Sequence, residues 1–426
     1  MKIGIVGAGF SGLSAGYYLQ KQGHSVTIFE KDSYPGGLAV GFKNKEWKWS
    51  LEKHYHHWFT NDKYILDLAA EIKYPVITKR PKTSIYLDGR TIRLDSPMDV
   101  LLFSPLSLMD RIRMGITLAF FKYNPFWKPL EKVNASKVLP KLMGKKPYQL
   151  IWEPLFINKF GTYKNSISLA WFWARITKRT PSLSYPKKGY LGFALALSKK
   201  ITQRGGKISY KISIKAIEQN GTKIKVSYNN AFEIFDKVIV TLPSFSFLQI
   251  TKGLPETYKK NLLRLKGLGA INLIMKLKEP FLTDNTYWLN ICKKNAKIMS
   301  IVEHTNFINK KYYNQEHIIF LGNYIPSNHR YMKMTAPELL NEYDALLNEI
   351  KPDYRKSLLG LEIFKVPFAQ PIIPLNYSKR VPKTETPIKN LYLANMQQVY
   401  PWDRGTNYAV ELGKKIAQKI TEEMIQ

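Results

Sequence analysis

Cysteine is almost absent from this chain of 426 residues: Cys292 stands alone. An intramolecular disulfide is therefore excluded, and so is a metal site built on thiolates; a lone cysteine suits a reducing compartment. The seven histidines include no HxxxH or HExxH spacing, so the usual helical metal-ligand patterns are missing as well. Acidic residues are scarce, 32 against 65 basic ones, which leaves a formal net charge of +33. The lysines are scattered and form no block, as a general compositional bias would leave them. Attraction to an anionic membrane or an anionic substrate is the second reading. No nucleic-acid-binding motif is present, and nucleic acid is not an expected partner.

Long apolar runs are missing too. The most hydrophobic later stretch, Val100 to Phe121, is broken by Asp110-Arg111-Ile112-Arg113. No run approaches the roughly 18 apolar residues that cross a bilayer. The apolar start of the chain is punctuated by glycines and does not read as a signal peptide. The expectation is a cytoplasmic protein that crosses no membrane, whether free or resting on a membrane surface. With 45% hydrophobic and 13% aromatic residues, the chain is an ordered globular one, long enough for two cores.

What is present begins at the N-terminus. Lys2 to Val6 (KIGIV) reads as a buried parallel strand, and Leu13 to Gln22 as a helix that stops at Gly23. Ser25 to Phe29 (SVTIF) is a second strand, ending at Glu30. Between strand and helix lies Gly7-Ala8-Gly9-Phe10-Ser11-Gly12, the dinucleotide fingerprint in a βαβ setting. Gly7 permits the tight turn, and Gly9 lets the backbone approach a pyrophosphate. Gly12 and Gly16 let the helix lie close on the sheet. The helix N-terminus offers unpaired N–H groups to phosphate oxygens. Glu30, 18 residues after Gly12, is placed to accept hydrogen bonds from a ribose diol, with Lys31 beside it. Up to here NAD is the natural cofactor.

Gly36-Gly37-Leu38 moves the expectation to FAD. The doublet resembles that of flavoproteins with two dinucleotide-binding domains, in which the backbone runs along the FAD. Next comes EWKWSLEKHYHHWFT (Glu46 to Thr60), with His54, His56 and His57 among aromatics. His57-Trp58-Phe59 resembles the His-x-Phe of UDP-galactopyranose mutases and relatives of amine oxidases. That resemblance implies that His57 faces the flavin and contributes a hydrogen bond or a proton. A packing segment with satisfied core histidines is the other reading.

Further on, SIYLDGRTIRL (Ser84 to Leu94) reads as a hairpin turning at Asp88-Gly89. Ser96 to Leu142 reads as mostly helical, with breaks at Pro105, Pro125 and Pro129. It packs as ordinary helices, covers an apolar cavity, or dips into a bilayer interface. Ile151 to Gly161 and AWFWAR (Ala170 to Arg175) resemble strings in protoporphyrinogen-oxidase-like and phytoene-desaturase-like proteins. Arg175 is then a binder of an anionic substrate group or a structural ion pair. Tyr190 to Gln203 reads as a helix, Lys207 to Tyr228 as a β-meander, and Asp236 to Leu242 as a buried strand. By resemblance, backbone near Ile217 contacts the adenine. Gly267 to Phe281 and Ala296 to Asn323 read as strands of a pocket wall, and Pro337 to Ile350 as a helix. NLYLA (Asn390 to Ala394) is a strand, and Asp403-Arg404-Gly405-Thr406-Asn407 opens a last helix.

Fingerprint, doublet, meander and C-terminal motif together resemble the FAD-dependent amine oxidase superfamily, especially its protoporphyrinogen-oxidase-like and phytoene-desaturase-like branches. The implied fold is α/β: a Rossmann-like FAD-binding domain, βαβ plus β-meander, with an inserted α+β substrate domain. Residues 1–80, 200–247 and 385–426 would form the discontinuous FAD domain, and 81–199 with 248–384 the substrate domain. The implied FAD-binding set is Gly7, Gly9, Phe10, Ser11, Gly12, Glu30, Lys31, Gly36, Gly37, Leu38, Ile217, Arg404, Gly405, Thr406 and Asn407. His57 and Arg175 are the implied catalytic pair.

Two departures from the family refine this. Amine-oxidising members carry a lysine ahead of a Lys-Glu-Pro-Phe-like string; aligning on Lys278-Glu279-Pro280-Phe281 puts Asn272 there. Amine oxidation is thereby disfavoured. Covalent-flavin members carry a cysteine before the last helix, and Asn395 to Trp402 has none, so FAD is expected to be non-covalent. The leading expectation is an FAD-dependent oxidoreductase moving hydride to or from a largely apolar, lipid-linked or anionic small molecule. Two alternatives are a non-redox enzyme of the UDP-galactopyranose mutase kind and an FAD-bound scaffold or electron carrier.

Overall fold

After the exposed Lys2, the segment Lys2–Val6 has only glycine and branched apolar residues, and it forms the middle strand of a parallel sheet. We call it β1; α1 is Phe10–Lys21 and β2 is Ser25–Phe29. The computed structural model describes residues 1–423, so the last three residues of the expected 385–426 segment lie outside the described residues. The sheet runs Lys207–Ser209, β2, β1, Lys237–Val240, Leu391–Leu393, and every neighbouring pair is parallel. Strands from three distant parts of the chain thus share one layer. Parallel sheets need cover on both faces. The meander Ile214–Phe235 covers one, with Phe235 pressed on β1 where only Gly4 leaves room.

Helix α1 covers the other face and is buried from Phe10 to Gln20. A helix buried all round needs neighbours on every side, and here they are Gly189–Gln203 and the C-terminal helix Thr406–Glu422. Phe10 stacks on Phe193 with ring centroids 5.7 Å apart. Ser11 Oγ donates to Ala409 O at 3.0 Å and Ser14 Oγ to Val410 O at 2.8 Å. The two helices touch backbone to backbone, because a Cβ on Gly413 would stand 2.3 Å from Ser11 O. The ends of the chain are locked together.

A second sheet of seven strands forms a wall beyond the first. Its order is Leu358–Pro371, Gly267–Leu277, His317–Ile325, Ser300–Glu303, Thr286–Ile291, Lys82–Leu87, Arg90–Arg93. Only the Thr286–Ile291/Lys82–Leu87 pair is parallel. The hairpin turn falls at Asp88 and Gly89, whose φ values of 49° and 74° are the positive pair a type I′ turn requires. Helix Ala336–Ile350 backs this sheet, and a helical layer from Pro97 to Lys178 stands beside it.

Three sequence expectations shift. Lys207–Ser209 belongs to the parallel sheet, so the meander starts at Ile214. A division at 199/200 would cut helix Gly189–Gln203, which packs on α1 and belongs with the cofactor sheet. Val76–Lys79 pairs with Leu183–Pro186, outside the parallel sheet. Among the described residues no helix is long and apolar enough to cross a membrane, and no His/Cys/Asp/Glu group is arranged to hold a metal ion.

Candidate active site

The nucleotide end is built from glycines that exclude side chains. Gly7 turns at φ +104°, its N–H donating to Phe29 O at 2.8 Å. A Cβ on Gly12 would lie 2.0 Å from Gly7 O, and one on Gly37 would lie 3.0 Å from Gly9 Cα. Gly36 N–H donates to Ala8 O at 2.9 Å, so the doublet is stitched across the fingerprint turn. Helix α1 starts at Phe10 with no capping side chain and no acid in its first turn, which leaves its N–H groups free for an anion. Glu30 is buried at the tip of β2, where Oε2 accepts from Ala8 N–H at 2.8 Å and Oε1 from Asp32 N–H at 3.0 Å. Burial raises its pKa against the pull of these two N–H groups. Lys31 is exposed beside it. Ile217 is not beside Glu30: it sits inside the meander, its C=O accepting from Lys252 N–H at 2.9 Å. The segment that reaches Glu30 comes earlier, with Ile212 N–H donating to Glu30 O at 2.9 Å.

At the other end, Asp403 anchors the turn into the last helix. Its carboxylate accepts from Arg175 Nη1 at 2.7 Å and from Trp171 Nε1 at 3.4 Å. Burial pushes the Asp403 carboxyl up, but Arg175, Lys159 and Arg404 outweigh it and hold the group well below the usual range. Arg175 is an ion-pair partner of Asp403 stacked over Trp171, the second of the two roles its sequence context left open. Arg404 reaches across to the second sheet, donating to Gln370 Oε1 at 3.2 Å and to the Tyr324 hydroxyl. Thr406 Oγ1 accepts from Trp58 Nε1 at 3.0 Å, tying the helix start to the histidine segment. Asn407 faces inward, and its Oδ1 accepts from Ile65 N–H at 3.1 Å, so its side chain holds a neighbouring helix. Gly405 caps the helix without a side-chain bond, leaving N–H groups free there as well.

Between the two ends lies a small chamber of about 40 Å³ lined by Leu38, His54, His56, Asn272, Tyr324 and Arg404. Two polar atoms in it, His54 Nε2 and Asn272 Oδ1, are enclosed and have no partner. Orphaned buried polar atoms are uncommon in a settled fold and mark a place where a ligand completes the bonding. Burial holds both imidazoles neutral, with pKa values pushed down to about 3 for His54 and about 4 for His56. The lining's polar atoms suit the N–H and C=O edges of a flat heteroaromatic ring, for which a chamber of about 40 Å³ must widen, and the glycine cradle with two free helix starts suits a pyrophosphate chain. The residues present fit FAD.

His57 turns the other way. It lines a larger cavity of about 720 Å³ whose walls include Val100, Met114, Leu118, Ile176, Leu183 and Trp288. Its Nδ1 lies 3.3 Å from the Tyr287 hydroxyl, and burial lowers its pKa to about 3. His54 and His56 line the chamber and His57 lines the cavity, so the ring-facing place that the resemblance implies for His57 stands as an expectation. The basic groups on the cavity are Arg111, Lys122 and Arg179. Arg179 follows helix Leu169–Lys178 as its extended C-cap, and no sequence motif marked it.

With this geometry in hand, comparison with known proteins becomes informative. The family model described as flavin-containing amine oxidoreductase matches residues 10–421. The chain belongs to that family. Coproporphyrinogen III oxidase of Staphylococcus aureus is 23% identical over 291 residues, 58% of this chain and 61% of the relative. Prolycopene isomerase 1 of an Oncidium hybrid is 21% identical over 322 residues, 64% of this chain and 54% of the relative. The chain thus spans a little over half the length of these curated relatives. The solved structure of reduced UDP-galactopyranose mutase superposes with a TM-score of 0.77 at 16% identity, covering 98% of this chain and 95% of that one. The shared fold is that of the FAD enzymes of this family, and the cofactor is non-covalently bound FAD. Cys292, the sole cysteine, is buried against Ile151, where burial pushes its thiol up to about 12, and it lines neither the chamber nor the larger cavity.

Proposed function

We propose that this protein is an FAD-dependent oxidoreductase that moves hydride between FAD and a largely apolar substrate carrying an anionic group, in the oxidase or desaturase direction. The observation that carries this reading is the cavity of about 720 Å³, apolar on most sides and basic at Arg111, Lys122 and Arg179. An ammonium substrate would meet three cations there and only Asp95, whose carboxylate is already engaged by Arg93. Asn272 in place of the family's lysine supports the same exclusion of amines.

Bound FAD supplies the two-electron acceptor or donor. The chain supplies position and dryness. Gly9, Gly37 and the free N–H groups at Phe10 and Thr406 would hold the phosphates and the ring's polar edge. Leu38, His54, His56 and Asn272 would seat the ring. His57, neutral at physiological pH, shares a hydrogen bond with Tyr287 and orients substrate; it holds no proton to donate as an imidazolium. Arg179 and Lys122 would steady the anionic group.

A sugar-nucleotide reaction without net redox has the fold in its favour and the cavity walls against it. Leu94, Met114, Leu118 and Ile176 offer nothing to sugar hydroxyls. Anaerobic mixing of the FAD-loaded protein with porphyrinogens, carotenoids and polyprenyl phosphates separates the readings. Bleaching of the oxidised-flavin absorbance by one of these is the expected outcome. Turnover of a UDP-sugar only after dithionite, with no net electron transfer, would replace the proposal with its rival.

A further inference from the structure

The helical layer beside the cavity carries its apolar side chains on the wrong face for a protein surrounded by water. Helix Leu108–Tyr123 buries Met114, Thr117 and Phe121 against the core. Its outer face presents Leu108, Met109, Ile112, Ile116, Phe120 and Tyr123, at spacings of three and four that make a continuous stripe. Exposure there is large: 63% for Leu108, 73% for Met109 and 82% for Tyr123. The preceding helix Pro97–Leu101 and its end add Met98, Leu101 and Leu102, and Phe126 follows. Twelve of the eighteen exposed large apolar residues among the described residues fall between Met98 and Leu142. Single exposed apolar side chains need no explanation, but a contiguous patch does.

Charge says what covers it. Between Pro97 and Lys146 the sequence holds nine Lys or Arg and three Asp or Glu. None of those nine basic groups joins any of the 23 salt bridges formed among the described residues. Arg111 and Arg113 donate instead to the carbonyls of Leu106 and Leu142. An apolar stripe flanked by uncompensated cations complements an anionic lipid surface: acyl chains receive the stripe, and headgroups meet the lysines and arginines. A second copy of the chain would bring like charges face to face.

We propose that the face formed by Pro97–Leu101 and Leu108–Tyr123 docks on an anionic phospholipid bilayer, lying in its interface without crossing it. The large cavity opens through the same face, because Leu101, Ile112, Ile116 and Tyr123 both line the cavity and are exposed. An apolar molecule then passes from bilayer to cavity without entering water. The docking surface stands on exposure and charge alone and holds whatever chemistry the flavin performs.

Flotation of the full-length, FAD-loaded protein with vesicles tests it. Wild type should rise with phosphatidylglycerol/phosphatidylcholine vesicles and far less with phosphatidylcholine alone. The variant Leu108→Ser/Met109→Ser/Phe120→Ser changes only solvent-facing side chains outside the cavity lining, and its partitioning should fall at least about tenfold. The variant Lys128→Glu/Lys141→Glu should lose about tenfold or more on anionic vesicles only, at roughly 1 kcal/mol per basic group near the surface. Flavin content and melting temperature certify that each variant is folded. Wild type remaining unbound by both vesicle types would overturn the proposal. So would unchanged binding by the serine variant, or a concentration-dependent dimer that the serine variant abolishes without any vesicle binding.

Discussion

Glu52 is fully buried, and the fold dictates its charge. Tyr185 donates its hydroxyl to the two carboxylate oxygens at 2.9 and 2.8 Å, and Tyr190 N–H donates at 2.9 Å. Burial nevertheless raises its pKa from 4.5 to about 7. The folded protein therefore binds this proton more tightly than the unfolded chain. Its contribution is present below pH 4.5 and is lost as pH rises through about 7, a change of about 3 kcal/mol. Glu52→Gln should remove that dependence. Urea titrations of both proteins should show the variant gaining on wild type between those pH values, while other titrating groups cancel in the difference. A second residue-scale prediction concerns Gly37, at φ +58° with its would-be Cβ 3.0 Å from Gly9 Cα. Gly37→Ala should leave the protein folded but lower its FAD content after gel filtration severalfold or more, since both crossing backbones must move apart. A third concerns Asp403, the one carboxylate among Arg175, Lys159 and Arg404. Asp403→Asn should destabilise by about 3 kcal/mol in chemical denaturation, because it leaves the gathered cations uncompensated.

At the scale of elements, what the sequence made legible depended on how local the constraint was. The βαβ unit could be read because each glycine answers a backbone requirement within a few residues of itself. The Asp88-Gly89 turn could be read for the same reason. The histidine segment could not, since it is mostly irregular chain with a two-residue strand at Trp58–Phe59, and tertiary contacts decide which face each ring takes. Helix Leu108–Tyr123 was ambiguous in a different way. Both of its faces are apolar, so periodicity found a helix without telling the inner stripe from the outer one. Ile217 lies within a meander whose register is set by its partners, here including a shift between Ile214 and Ala216. The cavity itself gives an element-scale prediction. Ala119 lines it from the Leu108–Tyr123 helix, so Ala119→Trp should fill it. Turnover of any substrate found should fall at least about tenfold, while FAD content and the flavin spectrum stay as in wild type.

Across the whole molecule, two sheets meet along the line where the chain repeatedly crosses between them. The cofactor sheet supplies two free helix starts, one from each end of the chain, and the second sheet supplies Asn272, Tyr324 and the far wall. Locking of α1 to the C-terminal helix through Ser11, Ser14 and Gly413 explains how residues 398 positions apart in sequence make one site. The sequence motifs named both ends of this arrangement. On the second sheet the resemblance named Asn272 by its distance from Lys278–Phe281, but no motif named Tyr324, which reaches the site only through long-range strand pairing. The net charge of +33 was equally silent on its own. The proposed docking face would give part of it a role, where unpaired cations border an apolar stripe.

The most direct test of this account is a crystal structure of the protein loaded with FAD. The account predicts the isoalloxazine in the chamber lined by Leu38, His54, His56, Asn272, Tyr324 and Arg404, with the former orphans His54 Nε2 and Asn272 Oδ1 now hydrogen-bonded. The pyrophosphate should lie against Gly9 and Phe10. A flavin ring placed elsewhere, a covalent link to the protein, or both orphan atoms still unpartnered beside a bound flavin would contradict it.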